Sequence, residues 1–174
     1  MKTPEWMHWH EWRHIVGFEE TSLVGTVYFA NYVVWQGSCR ESFIHSCAPD
    51  VTGVLMSGDL ALITKSCACE FMGMRGLYAL EDVLVKMAIT RFRGGRCTLG
   101  FLYYNCSNGM DLIASGEQEV HSYHKSNGVM APAMFPDKML AAFPTAAATP
   151  EIILAIEDAK SFSEKAKIGS VAQS

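Results

Sequence analysis

From Phe29 to Cys47 apolar residues recur at helical spacing over more than half of the circumference, a face too wide for a helix lying on a flat surface. At roughly 100° per residue, Phe29, Tyr32, Val33, Trp35, Gln36, Gly37, Cys39, Phe43, Ile44 and Cys47 share one arc. Val34, Ser38, Glu41, Ser42 and His45 make the opposite, solvated arc. Arg40 falls on the first arc, so its guanidinium points inward. A guanidinium stays charged, and burying it without partners costs several kcal/mol. It is therefore either half of a structural salt bridge or the cation of a binding or catalytic site, and the helix geometry accommodates both.

A helix this apolar needs a sheet curled around it, and the rest of the chain supplies strands. Trp12, His14, Val16 and Phe18 alternate with Glu11, Arg13, Ile15 and Gly17, which predicts a strand from His10 to Thr21. Ser22 to Gly25 makes the turn into the helix. Ala48-Pro49-Asp50 ends the helix, and Val51 to Gly58 reads as a loop. Four further strands follow at Leu60 to Met72, Leu77 to Arg93, Arg96 to Cys106 and Leu112 to Ser126, separated by glycine-containing breaks. One strand, one long helix and then a meander is an α+β order. Toward the end, Pro136-Asp137 opens a short helix to Phe143. Thr149-Pro150-Glu151 caps another, striped by Ile152, Ile153, Ile156 and Phe162, with fraying expected after Lys165.

The 174 residues are 49% apolar and 11% aromatic, enough for a single core. The net charge of −4 argues against a nucleic-acid binder, which needs a basic stripe. No run of about eighteen apolar residues spans a bilayer, and the stretch from Met1 to Trp6 lacks a signal-peptide core, so a cytoplasmic protein is expected. Six cysteines, single apart from Cys67-Ala68-Cys69, form neither a disulfide framework nor a zinc pattern and read as reduced, mostly buried thiols. His8 and His10 flank Trp9 without a third ligand, and no Gly-x-Ser-x-Gly elbow occurs. No metal or other cofactor is indicated.

The helix start carries a denser signal: Glu20-Thr21, Leu23-Val24-Gly25, Val27-Tyr28-Phe29, Asn31-Tyr32, Trp35-Gln36-Gly37 and Cys39-Arg40-Glu41. This block resembles the hotdog-fold thioesterases of the 4-hydroxybenzoyl-CoA thioesterase-like superfamily, and closely the branch that releases polyketide chains in enediyne biosynthesis. The likeness continues more loosely to about Ser126. The resemblance implies a hotdog fold, a curved antiparallel five-stranded sheet wrapped around a long central helix, with short C-terminal helices. The hotdog domain is expected over residues 1–145 and a C-terminal helix with a flexible tail over 146–174. The resemblance also implies sites between subunits, hence a homo-oligomer with a dimer as minimum and a dimer of dimers as the expected assembly. The implied partner is an acyl carrier domain of a polyketide synthase, bearing the chain on phosphopantetheine.

For the site, the resemblance puts an oxyanion donor at the backbone N–H of Phe29, helped by Tyr28, because a helix start offers free N–H groups and partial positive charge. Ser22 stands where the benzoyl-CoA relatives carry aspartate and the enediyne branch usually asparagine. Its hydroxyl is a poor base but can orient a water. Arg40 is the branch's important cation, suited to a β-keto oxygen or a product carboxylate, and Tyr32, Gln36 and Arg40 form a polar seam. Glu41 matches a carboxylate that another hotdog group uses as base, or else it pairs at the surface. Thr64 is expected to line the pocket from a partner's strand. Arg91, Arg93 and Arg96 flank the Gly94-Gly95 hairpin and are either a solvated turn or a site for the pantetheine phosphate. The expected reaction is hydrolysis of a polyene β-ketoacyl thioester, with decarboxylation of the released β-keto acid. An aryl- or acyl-CoA thioesterase and a non-catalytic acyl-chain binder are the alternatives.

Overall fold

The computed structural model describes residues 8–72, 75–154 and 156. A long helix α1 (Ala30–Cys47) is embraced by an antiparallel sheet made of β1 (His10–Ile15), β2 (Leu60–Phe71), β3 (Asp82–Arg93), β4 (Arg96–Asn105) and β5 (Asp111–Ser126). The strand order is β1-β3-β4-β5-β2, and a short β6 (Val129–Pro132) pairs with the end of β5. Register shifts between Thr64 and Ser66, Ile89 and Arg91, and Tyr103 and Tyr104 bend the long strands, so the sheet curls over the helix. The result is the expected α+β hotdog arrangement.

The inward arc read from the sequence is the buried one. Tyr32, Trp35, Gln36, Cys39, Phe43 and Ile44 are buried on α1 against a sheet face that includes Val83, Val85, Met87, Phe101 and Tyr103. Each large apolar side chain sealed there contributes roughly 1.5–3 kcal/mol relative to exposure. Gln36 reaches the sheet through a gap that only glycine leaves: a Cβ on Gly116 of β5 would sit 2.4 Å from Gln36 Nε2. Through that gap Nε2 donates to the Ala68 carbonyl at 2.9 Å.

Several boundaries differ from the sequence reading. β1 stops at Ile15, and Phe18–Glu20 is a 3-10 turn, because the Glu20 carboxylate accepts from the Gly17 N–H at 2.7 Å and curls the chain back. Phe18 therefore lies exposed instead of in the core. The segment expected to be a loop is helix α2 (Pro49–Met56), started by Pro49 with Asp50 in its first turn, so the helix-start chemistry outweighs Gly53. β3 begins at Asp82 and not Leu77, since Leu80 takes φ 68°, which breaks an extended strand. β6 exists because Asn127-Gly128 adopts φ values of 50° and 79°, the primed hairpin turn. Of the cysteines only Cys39 and Cys97 are buried, while Cys47 and Cys67 are exposed.

After β6 the chain forms α3 (Asp137–Ala142), the short helix expected from Pro136-Asp137, and then a 3-10 turn (Phe143–Ala146) that the sequence reading did not include. Ala147 then bridges Ile89 of β3 in parallel. Helix resumes over residues 150–154, consistent with the Thr149-Pro150 cap. Phe162 and the frayed tail after Lys165 lie outside the described residues. Among the described residues no helix is long and apolar enough to cross a membrane.

Candidate active site

The start of α1 is held open by Glu20. Its carbonyl accepts from the Tyr28 N–H at 2.8 Å and from Asn31 Nδ2 at 2.7 Å. Its carboxylate accepts from His14 Nε2 at 2.6 Å, the Gly17 N–H at 2.7 Å and Trp35 Nε1 at 2.8 Å. Burial opposes ionisation of Glu20, but these hydrogen bonds outweigh it and hold the carboxyl below its ordinary range. The first strand's end is thus a structural knot.

With Tyr28 tied to Glu20, the Phe29 N–H is left without an acceptor among the described residues. Phe29 is 61% exposed, its ring 4.5 Å from that of Tyr28, so the amide sits beside a surface accessible to a ligand. Helix α1 has no side-chain cap and no acidic residue in its first turn, leaving its positive end available to an oxyanion. The Tyr28 N–H, expected to assist, is already used.

Ser22 closes the tight turn that precedes this amide. Its N–H donates to the Thr26 carbonyl at 2.7 Å, its carbonyl accepts from Gly25, and its hydroxyl lies 3.4 Å from Thr26 Oγ1. The hydroxyl is partly exposed and available to a water, with no base beside it among the described residues.

Arg40 faces inward and its side chain is only 16% exposed. Nη1 donates to Thr64 Oγ1 and to Gln118 Oε1, both at 2.9 Å, and Nη2 donates to Glu41 Oε1 at 2.9 Å. Its Nε is buried and unpaired among the described residues, the one nitrogen of the guanidinium plane left without an acceptor beside Nη1 and Nη2. The structure thus joins Arg40, Thr64 and Glu41. Thr64 reaches Arg40 within one chain, whereas the sequence reading brought it from a partner's strand. Glu41, 61% exposed, is engaged as the guanidinium's counter-ion, so the surface pairing describes it and the role of free base does not. The sequence reading missed Gln118. Its signal was a polar residue between Gly116 and Val120 on the inward face of β5, where a buried amide must have a partner.

Tyr32 and Gln36 do not join this group. Tyr32 is 4% exposed, packed on Trp35, Phe71 and Tyr103, and burial pushes its hydroxyl up to about 12. Gln36 is fully buried, its amide bonded to Ala68. Both are sealed in the core, so the expected polar seam ends at Arg40 as far as solvent is concerned. Cys39, one turn away, is likewise buried and pushed up to about 12, which makes it inert as a nucleophile.

Arg40 also lines a small apolar cavity of about 20 Å³ between α1 and the sheet, with Phe43, Leu99, Val120, Phe135, Met139 and Phe143. Cys97 belongs both to this cavity and to an outer groove containing Arg91, Arg93, Arg96 and Glu119. Arg91 is committed to Glu117 at 2.6 Å and to Thr98 at 3.2 Å. Arg93 and Arg96 form no ion pair among the described residues and line a second groove with His121 and Tyr123.

A curled sheet around one long helix, with a free amide at the helix start and an inward guanidinium, defines a hotdog thioester hydrolase. No protein-family profile and no curated protein matches this sequence. Solved structures do. The dynemicin thioesterase, described with bound polyene, is 35% identical, with TM-score 0.75, matched over 81% of this chain and 99% of its own. A 1,4-dihydroxy-2-naphthoyl-CoA thioesterase from Synechocystis matches 78% of this chain and 95% of its own at 18% identity and TM-score 0.67. A 4-hydroxybenzoyl-CoA thioesterase matches 78% of this chain and 99% of its own at 13% identity and TM-score 0.66; these two share the fold. The chain belongs to the hotdog-fold thioesterases and hydrolyses thioesters.

Proposed function

We propose that this thioesterase releases a polyene β-ketoacyl chain from the phosphopantetheine of an acyl carrier domain in enediyne polyketide biosynthesis. Similarity to the dynemicin thioesterase supports the substrate class. The observation that carries the chemistry is the acceptor-free Phe29 N–H at an uncapped helix start. Water, oriented by Ser22, attacks the thioester carbonyl, and the oxyanion develops against the Phe29 amide. The C–S bond breaks, the thiol leaves with a proton, and a β-keto acid remains. Because Phe29 and Arg40 lie roughly 16 Å apart along one helix, the guanidinium that meets the β-keto oxygen, and the enolate formed as the acid loses carbon dioxide, is that of a second copy of the chain. Tyr28 and Phe29 flank the carbonyl, while Arg93 and Arg96 of a second copy of the chain receive the pantetheine phosphate.

The active unit in this reading is a homo-oligomer, with a dimer as minimum and a dimer of dimers as the full assembly. β2 is the terminal strand of the sheet, and its residues are largely exposed along most of its length. A second copy pairing there would cover that edge.

The test uses Phe29→Pro. Phe29 has φ −53° and its N–H makes no bond among the described residues, so proline fits the backbone and removes the proposed donor. Against a control of Phe29→Ala, which keeps the amide, Phe29→Pro should lower kcat by about 10²–10³-fold. Equal activity of the two variants on a polyene β-ketoacyl carrier thioester refutes the oxyanion role. A higher kcat/KM on acyl-CoA than on that carrier thioester refutes the polyketide assignment.

A further inference from the structure

The small cavity beneath Arg40 is closed by the chain's own later segment. Phe135, Met139 and Phe143, all beyond β6, form one side of it, facing Phe43 and Leu99. The ring of Phe143 lies 5.0 Å from Phe135, 5.8 Å from Phe92 and 6.4 Å from Phe43, so it ties the segment to β3 and to α1 one turn past Arg40.

The segment is also fastened through its backbone. The Ala133 N–H donates to the Ser122 carbonyl at 3.0 Å, and the Ala148 N–H donates to the Ile89 carbonyl at 2.9 Å. Lys138 Nζ reaches Asp50 Oδ2 on α2 at 2.7 Å. Anchored on β5, β3 and α2, these aromatics are a fixed wall. Met139, unbranched and adaptable, is the member of the wall that can yield.

A cavity of about 20 Å³ holds one water-sized group. Apart from Arg40 its lining is apolar, so it rejects a polar group and accepts a hydrocarbon one. We infer that this aromatic wall is the stop for the distal end of the acyl chain, with Phe143 and Met139 setting the length the enzyme accepts. The inference rests on the acyl-thioesterase reading above and adds to it the element that measures the chain. A chain entering past Arg40 advances until its terminal methyl meets Phe143. Longer chains then pull the carbonyl out of register with the Phe29 amide, so length discrimination falls mainly on kcat/KM.

The experiment takes the full chain and compares it with Phe143→Ala, the milder Phe143→Leu and Met139→Ala, and with Val120→Phe, which fills the cavity. Each is assayed on acyl N-acetylcysteamine thioesters in two-carbon steps from hexanoyl to hexadecanoyl. Shortening the wall should move the optimum to longer chains and raise the long-to-short kcat/KM ratio by roughly tenfold or more. Val120→Phe should move it the other way. A second readout, competition of fatty acids of graded length against a fluorescent polyene fatty acid, reports binding independently of turnover. An unchanged length preference in both readouts, with Phe143→Leu and Met139→Ala folded, overturns the inference. A length shift in binding without hydrolysis by the parent protein upholds the stop and counts instead against the catalytic reading.

Discussion

Replacing Glu20 should unfasten the start of α1. In Glu20→Ala the Trp35 indole N–H, on a side chain 1% exposed, loses its acceptor, as do Gly17 and His14. A buried donor left unpaired costs about 1–3 kcal/mol, and a bond to a charged acceptor is worth about 1.5–3 kcal/mol. Because His14 and Gly17 are only partly buried, the three losses do not add in full, and the expected destabilisation is about 3 kcal/mol. For a chain of this size that lowers Tm by about 6–12 °C, measurable by calorimetry at pH 7. Glu20→Gln keeps the shape but turns an NH2 toward one of the donors, so about half that loss is expected. The pH dependence fixes the cause. The folded carboxyl titrates lower than the unfolded one, so its contribution is complete above the ordinary value of 4.5 and disappears as pH falls through the folded value. The gap in Tm between parent and Glu20→Gln should therefore narrow below about pH 4.5. A Tm change under about 2 °C at pH 7, or a gap that persists undiminished in acid, refutes the reasoning.

Arg40→Lys keeps the positive charge but cannot serve Thr64, Gln118 and Glu41 together with a substrate oxygen, so kcat/KM should fall by about 10–100-fold; a loss under about threefold would mean that charge alone suffices. Gly116→Ala would bring a Cβ to 2.4 Å from Gln36 Nε2 and 3.0 Å from the Ala68 carbonyl, and urea unfolding should register about 1–3 kcal/mol of destabilisation. Full stability would show that Gln36 moves aside freely. Cys47 and Cys67 are both exposed on the single chain, but only Cys67 lies on β2. Thiol labelling at high protein concentration should mark Cys47 and spare Cys67, with dilution releasing it; equal labelling throughout argues against pairing through β2.

What the sequence carried plainly was whatever repeats along an element. The arc of α1 and the alternation of β4 and β5 needed no tertiary knowledge, because burial on one face is written as periodicity. Arg40 was legible for the same reason, as the charge that interrupts the pattern. What escaped were features made by contacts distant in sequence or by a single turn. The Glu20 knot joins His14, Gly17 and Trp35, whose convergence no local pattern encodes, and it curtails β1 just where alternation predicted continuation. α2 was read as a loop from its glycines although Pro49 and Asp50 carried a helix-start signal. Asn127-Gly128 carries as clear a hairpin signal as Gly94-Gly95, and it makes the turn into β6. Gln118 required knowing that β5 passes under Arg40.

The two chemical groups of the helix stand far apart. Phe29 and Arg40 are separated by 11 positions along α1, and at about 1.5 Å per residue their backbones lie roughly 16 Å apart. One short acyl group cannot touch both within a single chain, so a benzoyl-sized substrate would leave Arg40 idle. The β-keto oxygen lies two carbons from the thioester carbonyl whatever the chain length, so it is a second copy of the chain, bringing its own helix alongside, that places a guanidinium on it. The exposed β2 edge favours such an arrangement between copies. It follows that Arg40→Lys should penalise long β-keto thioesters far more than short unfunctionalised ones, while Phe29→Pro should penalise both alike. Equal losses for the two substrate classes in Arg40→Lys would detach the guanidinium from the chain and return it to the role of a structural ion.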